Sequence, residues 1–340
     1  MIRLYDFNFN LLAETDRCIS SEWELKFNGI GTYEGIFQVN SDFASVFAEN
    51  EYVIISEDDK QAICVGKYIS DNLRVYGRTP EWLLSKRIVL PFKTSVIFGD
   101  TYTDPETVII YLLNQAYKTP AAVCEDGTVS SDINTNAVCD EFIVPEKIGV
   151  ESFGRHFWRN GANPLSDVII DLCDIIGCGF LLRADFQNKC WNFNLVFGQE
   201  KHILISKSLK NVYDLTLKES FLDSATGGYY EIYDADAEQK PYGYIKGEIT
   251  GTGILYWDTV LSSASGLSEA QKLIKKATPE FKLNCELLGL EYGRDYELGD
   301  VVRVQFEMGK FRKTLKRRVT GVSIINSSSQ KSIKPTLAEM

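Results

Sequence analysis

Histidine is scarce: the 340-residue chain holds two. That removes most of the usual supply of general bases and metal ligands near neutral pH. Gly-x-Ser-x-Gly, His-Glu-x-x-His and a phosphate loop are all missing. Gly29-Ile30-Gly31 and Gly251-Thr252-Gly253 lack the following helix that a dinucleotide fingerprint needs, and turns account for them. Eight cysteines are present, but none form a Cys-x-x-Cys pair. Most lie inside apolar runs such as Ile63-Cys64-Val65, so buried free thiols are expected rather than disulfides or metal ligands. No run approaches the roughly 18 apolar residues of a membrane-spanning helix. Met1-Ile2-Arg3-Leu4-Tyr5-Asp6 enters directly as a strand, so no signal peptide is expected, and the chain is expected to stay in a cytoplasm until assembled. Cationic excess is also missing. A net charge of −11 argues against sequence-reading nucleic-acid binding, which needs a basic footprint.

The residues that remain point weakly to chemistry. His156 sits in Gly154-Arg155-His156-Phe157-Trp158-Arg159, which reads either as an anion or sugar contact or as a loop with docked aromatics and wet cations. His202, beside Lys201, is expected at the surface. Carboxylates are plentiful, but any acidic chain of this length offers as many, so a glycosidase pair has no specific signal. Asp234-Ala235-Asp236-Ala237-Glu238 lacks the ordered spacing of a calcium loop and reads as a solvated turn. No catalytic, cofactor-binding or metal-ligating residue is assigned, no cofactor is expected, and the chain is not expected to be an enzyme.

What the chain does have is length for two or three domains, 44% hydrophobic residues and 12% aromatics, a balance that leans toward β structure. Trp23, Leu25 and Phe27 alternate on one face of Ser21–Phe27, and Asn28-Gly29-Ile30-Gly31 turns the chain into Tyr33–Val39. Glu51–Ser56 and Ala62–Ile69 flank the polar turn 57–60, and Asn72–Gly77 adds a strand. Thr79 and Pro80 open a short helical turn. Residues 1–95 therefore read as a first, nearly all-antiparallel β module.

Residues 96–205 differ. Asp104-Pro105 caps a helix carrying Val108, Leu112 and Ala116 at helical spacing. Asn163-Pro164 opens a second, with Leu165, Val168, Ile169, Leu172, Ile175 and Ile176 as its apolar face and Gly177 as its stop. Cys124–Cys139 reads as a surface loop. A hairpin turned at Asp185–Asn188 joins 180–183 to 191–197. From 206 onward strands return, with a capped helix inserted near 268–277. The stretch Tyr296–Phe306, turned in by Gly299-Asp300, and its return Arg318–Ile324 complete a second β module over 206–340. Lys310, Arg312, Lys313, Lys316, Arg317 and Arg318 make that hairpin basic. It reads either as a solvated edge that discourages strand-to-strand aggregation or as a contact for an acidic neighbour, such as a second copy of the chain.

Several of these features occur in an order that resembles one family. Trp23-x-Leu25-x-Phe27 comes first with Gly31-Thr32-Tyr33-Glu34, followed by Leu73-Arg74-Val75-Tyr76-Gly77 and Leu83-Leu84-Ser85-Lys86-Arg87. Next come Pro164–Ile169 and Gly179-Phe180-Leu181-Leu182-Arg183. Asp295–Val302 and Arg318-Val319-Thr320-Gly321-Val322 close the series. Together they are similar to the tail hub, or baseplate hub, proteins of long-tailed bacteriophages and prophages, over nearly the whole chain.

The resemblance implies a β-dominated α+β fold, with two small antiparallel β-barrel modules of tail-tube type flanking a smaller α+β domain. It implies a structural virion component, made in the bacterial cytoplasm. In that role a homotrimeric ring joins the tail tube to the distal tip or receptor-binding apparatus. Partners would be tube, distal-tail, fibre or tip proteins, with DNA passing through the lumen without sequence-specific binding. An acidic lumen would repel phosphate. The chain stops at Met340, soon after the last strand, so no attached hydrolase activity is expected. The competing reading is a β-rich carbohydrate-binding module for cell-surface attachment, stacking sugar on Tyr229, Tyr230, Tyr242, Tyr244 and Trp257.

Overall fold

The computed structural model describes residues 1–89, 104–124, 129–150, 163–232, 242–261, 280–327 and 331–339, with Ala270, Leu273, Ile274 and Ala277 from the stretch between. It is β-dominated, with few helices. Two compact units divide the chain: residues 1–214 with 285–338, and residues 215–284.

The first unit opens with β1 (Ile2–Tyr5), β2 (Leu11–Thr15), β3 (Ser20–Lys26) and β4 (Thr32–Gln38). The alternation read in β3 is real: Trp23 and Leu25 point inward while Glu22, Glu24 and Lys26 point to solvent. A helix that the sequence reading missed follows, α1 (Asp42–Glu49), capped where Ser41 Oγ accepts from Ala44 N at 3.2 Å. It buries Phe43 and Phe47, spaced one turn apart. Then come β5 (Ile54–Glu57), β6 (Lys60–Ile69), β7 (Asn72–Arg78) and a 3-10 segment Pro80–Lys86. Thr79 precedes that segment without capping it. Its hydroxyl instead accepts from Gly31 N at 2.8 Å.

The middle elements are β8 (Ile88–Val89), α2 (Pro105–Leu113), β9 (Ala121–Val123), β10 (Val129–Ile133), β11 (Phe142–Ile143), β12 (Asn163–Pro164), α3 (Leu165–Ile176), β13 (Gly179–Asp185) and β14 (Cys190–Val196). Asp104 caps α2 by accepting from Glu106 N. Gly177 ends α3 at φ 78°, the left-handed geometry glycine adopts without a Cβ clash. Leu165, Ile169 and Leu172 are buried as expected, but Ile175 is exposed. The Asp185 turn forms as read, its carboxylate accepting from Gln187 N and Asn188 N. The loop expected over Cys124–Cys139 is corrected: β9 and β10 pair antiparallel, so its described part is largely a hairpin and a 3-10 turn. Facing side chains of α2, α3, β13 and β14 make one apolar core, with Phe180, Phe193 and Leu182 at most 2% exposed.

Next, β15 (Glu200–Ser206) and β16 (Val212–Ser220) lead out of the first unit. The second unit carries β17 (Gly227–Glu231), β18 (Tyr242–Lys246) and β19 (Asp258–Val260) as a small sheet. Ala225, Tyr230, Leu261, Ala270 and Ile274 form its own buried cluster. Most of the helix expected near 268–277 lies outside the described residues, as do the His156 cluster and the acidic 234–238 stretch.

Finally β20 (Glu280–Leu287), β21 (Val301–Met308), β22 (Phe311–Ser327) and β23 (Lys331–Ala338) return the chain to the first unit. Gly299 (φ 89°) packs against the Phe27 ring, leaving no room for a Cβ. Asp300 is buried and accepts from Gln199 N and Glu297 N at 2.8 Å each, fixing the entry to β21.

The decisive pairing is long-range: β22 lies antiparallel to β3, with Ile324 opposite Trp23. A 13-stranded sheet results, with the order β16-β20-β23-β22-β3-β4-β7-β6-β5-β1-β2, plus β21 on β22 and β15 on β21. The strands of the two expected modules thus share one sheet, and no sheet closes into a barrel among the described residues. A buried carboxylate locks the junction. Glu57 accepts from Trp23 Nε1 at 2.5 Å, Ser21 Oγ at 3.3 Å and Asn326 Nδ2 at 3.4 Å, tying β5, β3 and β22 together. No described helix is long and apolar enough to cross a membrane.

Candidate functional site

The buried ionisable groups are structural clasps. Glu106, 1% exposed, accepts from the backbone N–H groups of Ile148, Gly149 and Val150. It lines a cavity of about 170 Å³ with Ile109, Ile110, Pro145 and Leu195. A carboxylate engaged by three backbone donors is a positioned anchor rather than an available base. Glu81, 3% exposed, accepts from Leu182 N at 2.9 Å, and burial pushes its carboxyl above the usual glutamate range. All eight cysteines are free: four are buried, three half-buried, and Cys124 is exposed. Burial pushes the Cys285 thiol up to about 12. His202 is exposed. Among the described residues no group of three His, Cys, Asp or Glu side chains could hold a metal ion.

The surfaces are more informative. In the first unit the end of the β21–β22 hairpin leaves the sheet. The β15 pairing stops at Gln305, and the pairings of β22 with β23 and β3 begin only at Arg318 and Gly321. Residues 306–316 form a two-stranded arm. Val304, Phe306, Met308, Phe311, Lys313 and Leu315 share one of its faces by register, and Phe311 is 76% exposed.

The six expected cations divide. Lys316 pairs with Glu200 at 2.9 Å, Arg317 is buried, and Arg318 donates to Gly177 O at 2.6 Å while lying 5.4 Å over the Phe27 ring. Lys310, Arg312 and Lys313 remain exposed on the arm.

At the other end of β22 lies an acidic sheet face. Glu22 stands directly opposite Glu34 across β3–β4, with Glu24 on the same side. Like charges directly opposite destabilise a sheet. Arg74 relieves one of them, reaching Glu34 at 2.6 Å. Sequence reading found the inward alternation of β3 but not this outer cluster, because only the strand register brings Glu34 to Glu22.

In the second unit β17, β18 and β19 present an aromatic face. Tyr229 stands opposite Tyr244, their rings 4.9 Å apart, and Glu231 stands opposite Tyr242. Tyr244 and Tyr256 share a hydroxyl hydrogen bond of 2.6 Å, and Tyr244 donates to Asp258 at 3.3 Å. Of the five aromatics expected to stack on sugar, Tyr229, Tyr242, Tyr244 and Trp257 are exposed, and Tyr230 turns inward at 8%.

No family model matches the sequence, and no curated protein does. Solved structures do match. The 43 kDa tail protein of a Shewanella oneidensis prophage superposes with a TM-score of 0.57 at 11% identity, over 99% of this chain and 98% of that one. A tail protein from Neisseria meningitidis gives 0.55 at 11%, covering 99% and 96%. A prophage tail protein of Listeria monocytogenes gives 0.51 at 13%, covering 100% and 94%. The chain has the fold of these tail proteins. In a tail-protein fold, the arm, the acidic face and the aromatic face are the surfaces left uncovered by the chain's own core.

Proposed function

We propose that the chain is the structural hub of a bacteriophage or prophage tail tip or baseplate. In this reading it forms a homotrimeric ring that joins the tail tube to the distal tip or receptor-binding apparatus. The observation that carries the reading is the end-to-end match with tail proteins, which leaves almost no part of either chain over. Residues 1–95 and 206–340 act as two modules of tail-tube barrel type, and residues 96–205 as the α+β domain between them. Three chains with two modules each supply six tube-like positions above a threefold tip. Closed rings of this kind arise from heterologous contacts. The protein is made in the bacterial cytoplasm and ends in the virion, against tube, distal-tail, fibre or tip proteins. DNA passes its acidic lumen without sequence-specific binding, and the role is not enzymatic. Light scattering after size exclusion, with electron microscopy of the same fractions, tests this. Three chains per particle and a threefold ring are expected. A chain that stays single at every concentration and forms no rings contradicts it.

The exposed tyrosines of the second unit support a second reading, a carbohydrate-binding module for cell-surface attachment. Tyrosine offers a rigid apolar face with a polar tip, and Asp258 adds an acceptor beside it. Glycan-array binding lost on changing Tyr242 and Tyr244 to alanine would favour this reading. An array with no signal would remove it.

A further inference from the structure

We propose that the β21–β22 arm of one copy docks on the acidic β3–β4 face of a second copy. This inference rests on the ring reading and names its contact. The arm is unfinished as a folded element. Both of its strand edges lack neighbours from about residue 306 to residue 316. Unpaired strand edges are templates for pairing unless they are covered or charged. One arm face carries Phe306, Met308 and Phe311, with Met308 45% and Phe311 76% exposed. The tip adds Lys310 and Arg312, which have no ion pair among the described residues.

The acidic face is its complement. Glu22 has no ion-pair partner among the described residues and stands opposite Glu34, with Glu24 beside them. Ile325 and Tyr76 flank this row by register, Ile325 opposite Glu22 and Tyr76 opposite Glu34, and each is more than a third exposed. An apolar strip edged by cations therefore meets an apolar strip edged by carboxylates. In a protein of net charge −11 the basic arm is the exception, and it also matches the chain's own most repulsive sheet face.

A single chain cannot satisfy itself this way. Both features are carried by the 17-residue β22, the arm at its start and the acidic face beside its end. At about 3.3 Å of rise per residue that strand is roughly 55 Å long, and it is pinned into the sheet at its far half. Contact between different patches on successive copies is heterologous, the geometry that closes into rings.

The test places a photo-cross-linking benzophenone amino acid at Phe311 of the full chain and maps captured peptides by mass spectrometry, alongside the solution mass. Capture within residues 20–38 or 322–327 of a second copy is expected. That capture should fall at least severalfold in high salt and on Glu22→Lys with Glu24→Lys, and recover when Lys310→Glu and Arg312→Glu are added to the same chain. Capture on another surface of a second copy overturns this contact while leaving the ring intact. No intermolecular capture, with a mass that stays at one chain, overturns both.

Discussion

The two ends of β22 have the same strand chemistry and opposite fates. From Val319 to Ile324 the inward residues Val319, Val322 and Ile324 are at most 4% exposed, because β3 and β23 flank the strand on both edges. From Phe311 to Leu315 the same alternation of apolar and polar residues meets no third strand, and Phe311 is left 76% exposed. Alternation thus specifies which side chains share a face, while the neighbours decide whether that face becomes core. One end of the strand holds the fold together. The other is available for assembly.

The comparison breaks most severely at the buried end. Trp23→Ala removes a fully buried indole opposite Ile324 and leaves Glu57 without its closest donor. Truncating a buried aromatic costs about 3–5 kcal/mol, read as a lower urea midpoint. A loss below about 1 kcal/mol would mean the β3–β22 junction is not a packed seam. Glu57→Ala should cost less, about 1–3 kcal/mol, the usual range for leaving a buried donor such as Trp23 Nε1 unpaired.

At the exposed end, Phe311→Ala should change the stability of the dilute single chain by no more than about 0.5 kcal/mol, as surface substitutions do. It should still weaken self-association. A large stability loss in dilute chain would show that the arm is covered within its own subunit.

Much of the buried end was legible beforehand. The period-2 runs of β3 and β4, the Asp104-Pro105 cap, Gly177 after α3 and the Asp185 turn are local signals, and each element formed there. Three things were not legible, each for a physical reason. Helix α1 is only 8 residues, too short for its Phe43/Phe47 pair to stand out as a period. The β3–β22 pairing links residues about 300 positions apart, and backbone hydrogen bonds carry no address. The run of six cations looked uniform, yet alternate side chains of a strand face opposite ways. Lys316 and Arg318 were drawn to Glu200 and Gly177 O while Lys310 and Arg312 stayed outside.

The smallest effect sharpens the comparison through pH. Burial raises the Glu81 carboxyl, with the hydrogen bonds from Thr79 and Leu182 N–H pulling the other way. The folded chain therefore holds this proton more tightly than the unfolded chain. The resulting stability is fully present below the ordinary glutamate value of 4.5 and is lost as pH rises through the folded value. Glu81→Gln keeps an acceptor for Leu182 N and should raise the melting temperature slightly at pH 7, an advantage that disappears well below 4.5. Lower stability at pH 7 would contradict this.

The division of labour along β22 is tested most directly by one measurement. It is the light-scattering mass of the unaltered chain beside that of the Lys310→Glu/Arg312→Glu chain, at about 0.1 M salt, where the screening length is about 10 Å. The prediction is a three-chain particle for the former and a single, fully folded chain for the latter. Equal masses for the two chains would contradict it.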